Sequence, residues 1–192
     1  MFKHTEMERQ LARQQDQLSQ AVIALARGSA LKPILRHVGE LSMQLTDARH
    51  AMISYINAGK KHYIPLGMTR TELARLAGRA PQGIGLLGLI WKKHEVVRAD
   101  HISAHPKSAG FPPDHASMTT FLGAPIMFGD EVQGVIYLTE KADGRVFTTI
   151  DETIVRTLAS SCAVAISKVR QIEQLEARNR ELEQRLAERT SK

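Results

Sequence analysis

Histidine is the residue type in this chain best placed to do chemistry. Of eight histidines, three (His101, His105 and His115) fall in one segment, Asp100 to Thr119, that shows no helical or strand period. A structureless stretch of roughly twenty residues inside a compact domain is usually functional. Imidazole can ligate a metal or exchange a proton near neutral pH. Three imidazoles would suffice in number for zinc, yet the Pro and Gly between them set no fixed ligand geometry. Other chemistry is thinly represented. No G-x-S-x-G, H-E-x-x-H, P-loop or kinase signature is present. The adjacent Asp151 and Glu152 point to different sides of a helix and cannot act as a carboxylate pair. Cys162 sits in mid-helix among Ala and Val, which reads as a buried, inert thiol. The run Gly83-Ile-Gly-Leu-Leu-Gly88 matches G-x-G-x-x-G, but a helix and Arg79 to Gln82 precede it. A dinucleotide site needs a strand there, so that a helix N-terminus meets the pyrophosphate. The glycines are therefore read as close packing of a short helix on a sheet.

The elements that must position these residues follow from periodicity. Glu6 to Arg27 is free of Pro and Gly, with Met7, Leu11, Leu18, Ala21 and Leu25 at heptad-like spacing and Gln14 in the missing place. A second helix runs from Leu31 or Pro33 to Leu45, with a stripe of Ile34, Val38, Leu41 and Leu45. The period then changes to strands: His50–Asn57 and His62–Leu66 about a turn at Ala58-Gly59-Lys60, and Glu95–Arg98. Phe121–Phe128 and Val132–Glu140 form a further hairpin around Gly129-Asp130-Glu131. Short helices are expected at Thr69–Ala77 and Ile84–Trp91. Thr148 caps a last helix with Asp151 and Glu152 in its first turns, and no breaker follows to the end. Leu175, Asn179, Leu182 and Leu186 fall at d, a, d, a of a heptad, the pattern of a short parallel coiled coil whose buried Asn fixes register. Strands in hairpins with helices before and after predict an α+β fold, a central antiparallel sheet with helices on its faces.

Composition bounds the rest. The chain has 192 residues and 43% hydrophobic content, enough for one domain with extensions. A single cysteine excludes a disulfide framework and a cysteine-based zinc site. The formal charge of +6 is spread over 26 basic and 20 acidic residues, with aromatics at 5%. Nucleic-acid surfaces gather their basic residues and interleave them with stacking aromatics, so no nucleic-acid partner is expected. No apolar run approaches the ~20 residues of a membrane span and no signal-peptide core opens the chain. No membrane association and a cytoplasmic location are the resulting expectations.

Several stretches together carry a more specific likeness: Gly85-Leu-Leu-Gly88, Asp100-His-Ile-Ser-Ala-His-Pro106, Gly110-Phe-Pro-Pro-Asp-His115, Phe121-Leu-Gly-Ala-Pro125, Gly134-Val-Ile-Tyr-Leu-Thr-Glu-Lys141 and Phe147 to Glu152. They resemble a GAF domain, and in particular the heme-binding GAF domains of the DosS/DosT sensor histidine kinases. The resemblance implies heme b as cofactor, with His115 as the proximal iron ligand. It also implies that Tyr137, 22 residues further on, is a distal hydrogen-bonding group. Met118, Phe121, Ile126 and Leu138 are the apolar walls expected for the porphyrin. The chain departs from that family at His115-Ala-Ser-Met118, where the family commonly carries His-Pro-Pro-Met. Glu140-Lys141…Phe147-x-x-x-Asp151-Glu152 also resembles the N-K…F-x-x-x-D-E pattern of cyclic-nucleotide-binding GAF domains, with Glu140 in place of Asn. Its physical content is a Lys141–Asp151 salt bridge tying strand to helix, which does not by itself imply a cyclic nucleotide.

The expected organisation is a signalling and dimerisation helix at 1–28, a GAF sensor domain at 29–170 and a coiled-coil helix at 171–192. The expected function is non-enzymatic: binding of a diatomic gas (O2, NO or CO), or redox sensing, at His-ligated heme iron. The signal would pass through a homodimer's terminal helices to a downstream output protein or domain. The alternative is a heme-free GAF module that binds another small molecule or serves as a dimerisation unit. A GAF enzyme of the methionine-sulfoxide-reductase type would need more cysteines than the one present.

Overall fold

The computed structural model describes residues 31–57, 59–76, 84–109 and 118–190. The expected N-terminal helix, the Ala58 turn residue, His115 and most of its flanking loop lie outside them. Four helices and five strands occur among the described residues, with bounds close to those the periodicity gives. They are α1 (Leu31–Thr46), β1 (Ala48–Asn57), β2 (Lys60–Leu66), α2 (Arg70–Leu76), α3 (Gly85–Lys93), β3 (Val97–Ala99), β4 (Phe121–Phe128), β5 (Glu131–Lys141) and α4 (Thr149–Thr190). The third strand is displaced from the expected Glu95–Arg98 to Val97–Ala99, because only those residues pair with Phe121 to Gly123 of β4. A 3-10 turn, Ile102–Ala104, opens the long loop, which the sequence shows as structureless.

The sheet order is β2-β1-β5-β4-β3, and every pairing is antiparallel. The central pair β1–β5 matches Met52 with Tyr137, and β5–β4 matches Tyr137 with Gly123. Strand β3 ends opposite Gly123, so β4 is an edge beyond that point. This admits Pro125, which has no N–H to offer a neighbouring strand.

Two apolar layers clothe the sheet. On one face Leu35 and Val38 of α1 and Val155, Leu158 and Ile166 of α4 pack on Ile53, Leu122, Ile126, Ile136 and Leu138. The opposite face is covered by α3, whose Leu86 and Ile90 meet Ala99, Ile102, Phe121 and Val135. Gly123 makes this second contact possible: a Cβ there would collide with the Ile90 side chain and the Phe121 ring. The glycine that lets the short helix sit close to the sheet is therefore on the strand.

Helix α4 starts at a reciprocal capping box. The Thr148 N–H donates to Asp151 Oδ2 at 2.7 Å, and the Asp151 N–H donates to Thr148 Oγ1 at 3.3 Å. The helix runs for 42 residues, about 63 Å at ~1.5 Å per residue. Burial ends at Arg170, and from Gln171 to Arg189 every residue is exposed. At that exit the Arg170 guanidinium donates to the Ile56 carbonyl of β1 and to Gln133 Oε1 of β5.

Candidate functional site

Strand alternation divides the expected pocket residues between two faces. Tyr137, Phe121 and Met118 belong to the α3 side of the sheet, where Tyr137 and Phe121 lie with ring centroids 6.2 Å apart. Ile126 and Leu138 belong to the other layer, fully buried under α1 and α4. They cannot wall a pocket that contains Tyr137, so the expectation for these two residues is corrected. The physical reason is the two-residue period of a strand, which sends Leu138 opposite to its neighbour Tyr137. The α3-side apolar wall comes instead from Leu86, Ile90, Ile102 and Val135.

The Tyr137 hydroxyl is buried and has no hydrogen-bond partner among the described residues. Burial, and secondarily the neighbouring Tyr63, hold its pKa well above the usual tyrosine value. The phenol is therefore a neutral O–H donor throughout the physiological range. Ser54 Oγ is the other buried, unpartnered side-chain oxygen among the described residues. Its register partners are Val135 and Tyr63, which puts it on the Tyr137 side of the sheet. An unmade hydrogen bond at a buried hydroxyl costs about 1–3 kcal/mol. Both hydroxyls lie on the α3 face of the sheet, the face on which Leu86, Ile90, Ile102, Phe121 and Val135 pack. Nothing in local sequence pattern singles out Ser54; only its place in the sheet does.

The end of the long loop is fastened to the sheet by Glu140. Its carboxylate accepts the backbone N–H groups of Thr119 and Thr120, the latter at 3.1 Å, while the Glu140 N–H donates to Thr120 Oγ1 at 3.2 Å. Glu140 adopts φ +58, a left-handed conformation costly for a residue with a Cβ. The residue that replaces the pattern's Asn thus anchors the segment leading to Met118. One residue on, Lys141 Nζ donates to both carboxylate oxygens of Asp151, at 2.9 and 3.1 Å, with both side chains buried. The strand-to-helix salt bridge read from the sequence forms.

His101 is exposed, and half-buried His105 accepts the Lys107 N–H at its Nδ1, 3.1 Å away, closing a local turn. Among the described residues no group of three His, Cys, Asp or Glu side chains is placed to hold a metal ion. Cys162 is fully buried in the α4 layer, and burial pushes its thiol up to about 12. A maleimide reagent should leave the folded protein unmodified and label one thiol per chain in denaturant. Rapid labelling of the native state would contradict this burial. Among the described residues no helix is long and apolar enough to cross a membrane.

Five antiparallel strands, with long helices on one face and a short helix and loop over a buried phenol on the other, define a small α+β domain. The chain belongs to the GAF domain family, whose model matches residues 29–167. This is a family of small-molecule sensing and regulatory modules. The fold is shared with the GAF domain of a phosphoenolpyruvate-protein phosphotransferase from Coxiella burnetii, at TM-score 0.69 and 21% identity, over 84% of this chain and 96% of that one. It is shared also with free methionine-R-sulfoxide reductase from Neisseria meningitidis in complex with its substrate, at TM-score 0.66 and 16% identity, over 84% and 92%. Residues 122 to 287 of a methyl-accepting chemotaxis protein match at TM-score 0.63 and 15% identity, over 79% and 98%.

Proposed function

We propose that this chain is a heme-based GAF sensor that binds a diatomic gas or responds to redox state, with His115 as the iron ligand and Tyr137 facing the bound gas. The observation that carries the reading is the Tyr137 hydroxyl, buried on the α3 side of the sheet without a partner among the described residues. A fixed neutral donor in an apolar layer suits the polar end of a small ligand. His115 precedes Met118 by three residues, and Met118 packs in the same layer as Tyr137 and Phe121. Met118 and Phe121 would then lie along a porphyrin edge, and Tyr137 would supply a hydrogen bond to the bound gas. Heme, when bound, supplies an iron centre for a gas molecule or for one-electron chemistry. The chain's own part is to ligate through the His115 imidazole, exclude water with its apolar side chains, and donate a hydrogen bond from Tyr137.

With its one cysteine buried and held protonated, the domain offers no thiol for a sulfoxide-reductase reaction, which favours a binding role over a catalytic one. Output runs through the helices. Strand β5 carries both Tyr137 and Gln133, and Gln133 holds Arg170 at the last point where α4 touches the body. The functional unit is a homodimer whose α4 tails pass the signal to a downstream protein or domain.

The test is the absorption spectrum of protein purified with heme supplied, together with Tyr137→Phe. The variant should keep its Soret band and change O2, NO or CO kinetics several-fold, the loss of one hydrogen bond worth about 1 kcal/mol. Ligand-free, it should be at least as heat-stable as the wild type, because an unpaired buried hydroxyl has been removed. Absence of a Soret band from the wild type would replace this reading with that of a heme-free ligand module.

A further inference from the structure

A strand leaves a serine fewer ways to satisfy its hydroxyl than a helix does. In α1 the buried Ser42 and Thr46 donate to carbonyls four residues earlier, at 2.8 and 2.6 Å. Thr120, buried at the end of the long loop, accepts the Glu140 N–H. Ser54 has no such group at hand. It stands in β1, whose main chain pairs with β2 on one side and β5 on the other, so the nearby amides and carbonyls serve the ladders. The residue is 3% exposed, and its Oγ has no partner among the described residues. Whatever satisfies it has to come from above the sheet.

The register brings Ser54 and Tyr137 within reach of one small ligand. Tyr137 lies opposite Met52 of β1 and Ser54 lies opposite Val135 of β5, so the two are diagonal neighbours on one face. Such neighbours stand about 7–8 Å apart, within reach of an aromatic side chain. On its other side Ser54 lies opposite Tyr63 of β2. The Tyr137 phenol feels Tyr63 across the width of β1, the strand that carries Ser54.

We propose that Ser54 is a second hydrogen-bonding residue for the bound gas, and that it works with Tyr137 to favour O2 over CO. The proposal rests on the heme reading above, and it adds a residue that lies outside the motifs carrying the resemblance. Among the diatomic gases, O2 when bound draws most on hydrogen-bond donors and CO least. Donors beside the ligand therefore set the ratio of the two affinities. The Ser54 hydroxyl carries one proton to donate and rotates to suit its acceptor. Its short side chain stays close to the sheet while the phenol reaches further out, so the two donors approach a small ligand from different directions.

Ser54→Ala and Ser54→Cys test it in protein loaded with heme. The cysteine fills nearly the same space with a weak donor, so it separates hydrogen bonding from shape. Both variants should keep the wild-type Soret band and lower the ratio of O2 to CO affinity several-fold. Both should also raise the C–O stretching frequency of the CO complex. In the heme-free protein Ser54→Ala should not lower the melting temperature, because no hydrogen bond to the described residues is lost. A marked fall there would give the hydroxyl a structural partner and overturn its role toward the gas. A wild-type O2 to CO ratio in both variants would remove Ser54 from the site while the heme reading stands. Ser54→Cys matching the wild type where Ser54→Ala does not would make volume the cause and overturn the hydrogen bond. A wild type without a Soret band would overturn the heme reading and this role together.

Discussion

Asp151→Ala should destabilise the fold by about 3–5 kcal/mol, read from urea or thermal unfolding. Two losses combine at this residue. Lys141, whose side chain is 7% exposed, would be left as an uncompensated buried cation. Helix α4 would also lose the carboxylate that caps Thr148 N–H and Thr148 Oγ1, at 2.7 and 2.9 Å. Asp151→Asn separates them, since the amide oxygen can still cap but no longer balances the lysine; it should recover only about 1 kcal/mol, the usual worth of a cap. Glu152→Gln is the contrast. Its pairs with Arg98 and Arg156 are partly exposed, unlike the buried Lys141–Asp151 pair, and pairs open to solvent contribute about 0–1 kcal/mol. An Asp151→Ala variant within 1 kcal/mol of the wild type would mean that the buried pair does not hold β5 to α4.

His115→Ala should abolish heme binding and leave the fold intact. In the proposed reading the His115 imidazole would be the group that holds the iron, so its removal takes away the ligand itself. The expected readout is loss of the Soret band on heme titration with unchanged far-ultraviolet dichroism. His101→Ala and His105→Ala should titrate like the wild type, because one side chain is exposed and the other is bonded to the Lys107 N–H. A His115→Ala protein with a full Soret band would remove His115 as ligand. Loss of heme on changing His101 or His105 would move the ligand to that residue.

What could be read from the sequence was local. The capping box at Thr148 and Asp151 is a three-residue signature, and the hairpin Phe121–Phe128 with Glu131–Lys141 is a period-two pattern around a Gly turn. The GAF resemblance belongs to this category too, since its motifs are short and contiguous, and the Lys141–Asp151 pair spans only ten residues. Parity along a strand was also available, and it already separates Tyr137 from Leu138.

Tertiary structure decided what each face of the sheet meets. Ile126 and Leu138 are apolar strand residues like Phe121, yet the long helices cover the former and α3 covers the latter. That Ser54 and Tyr137 find no partner among the described residues depends on everything packed over them, so no spacing encodes it. The same holds for Glu140 reaching back to Thr119 and for Arg170 reaching the Ile56 carbonyl 114 residues away. Hydrophobic period selects a helix or a strand because it depends on neighbours in the chain. Donors, acceptors and faces are matched only once distant segments are brought together, and the candidate site consists of such matches.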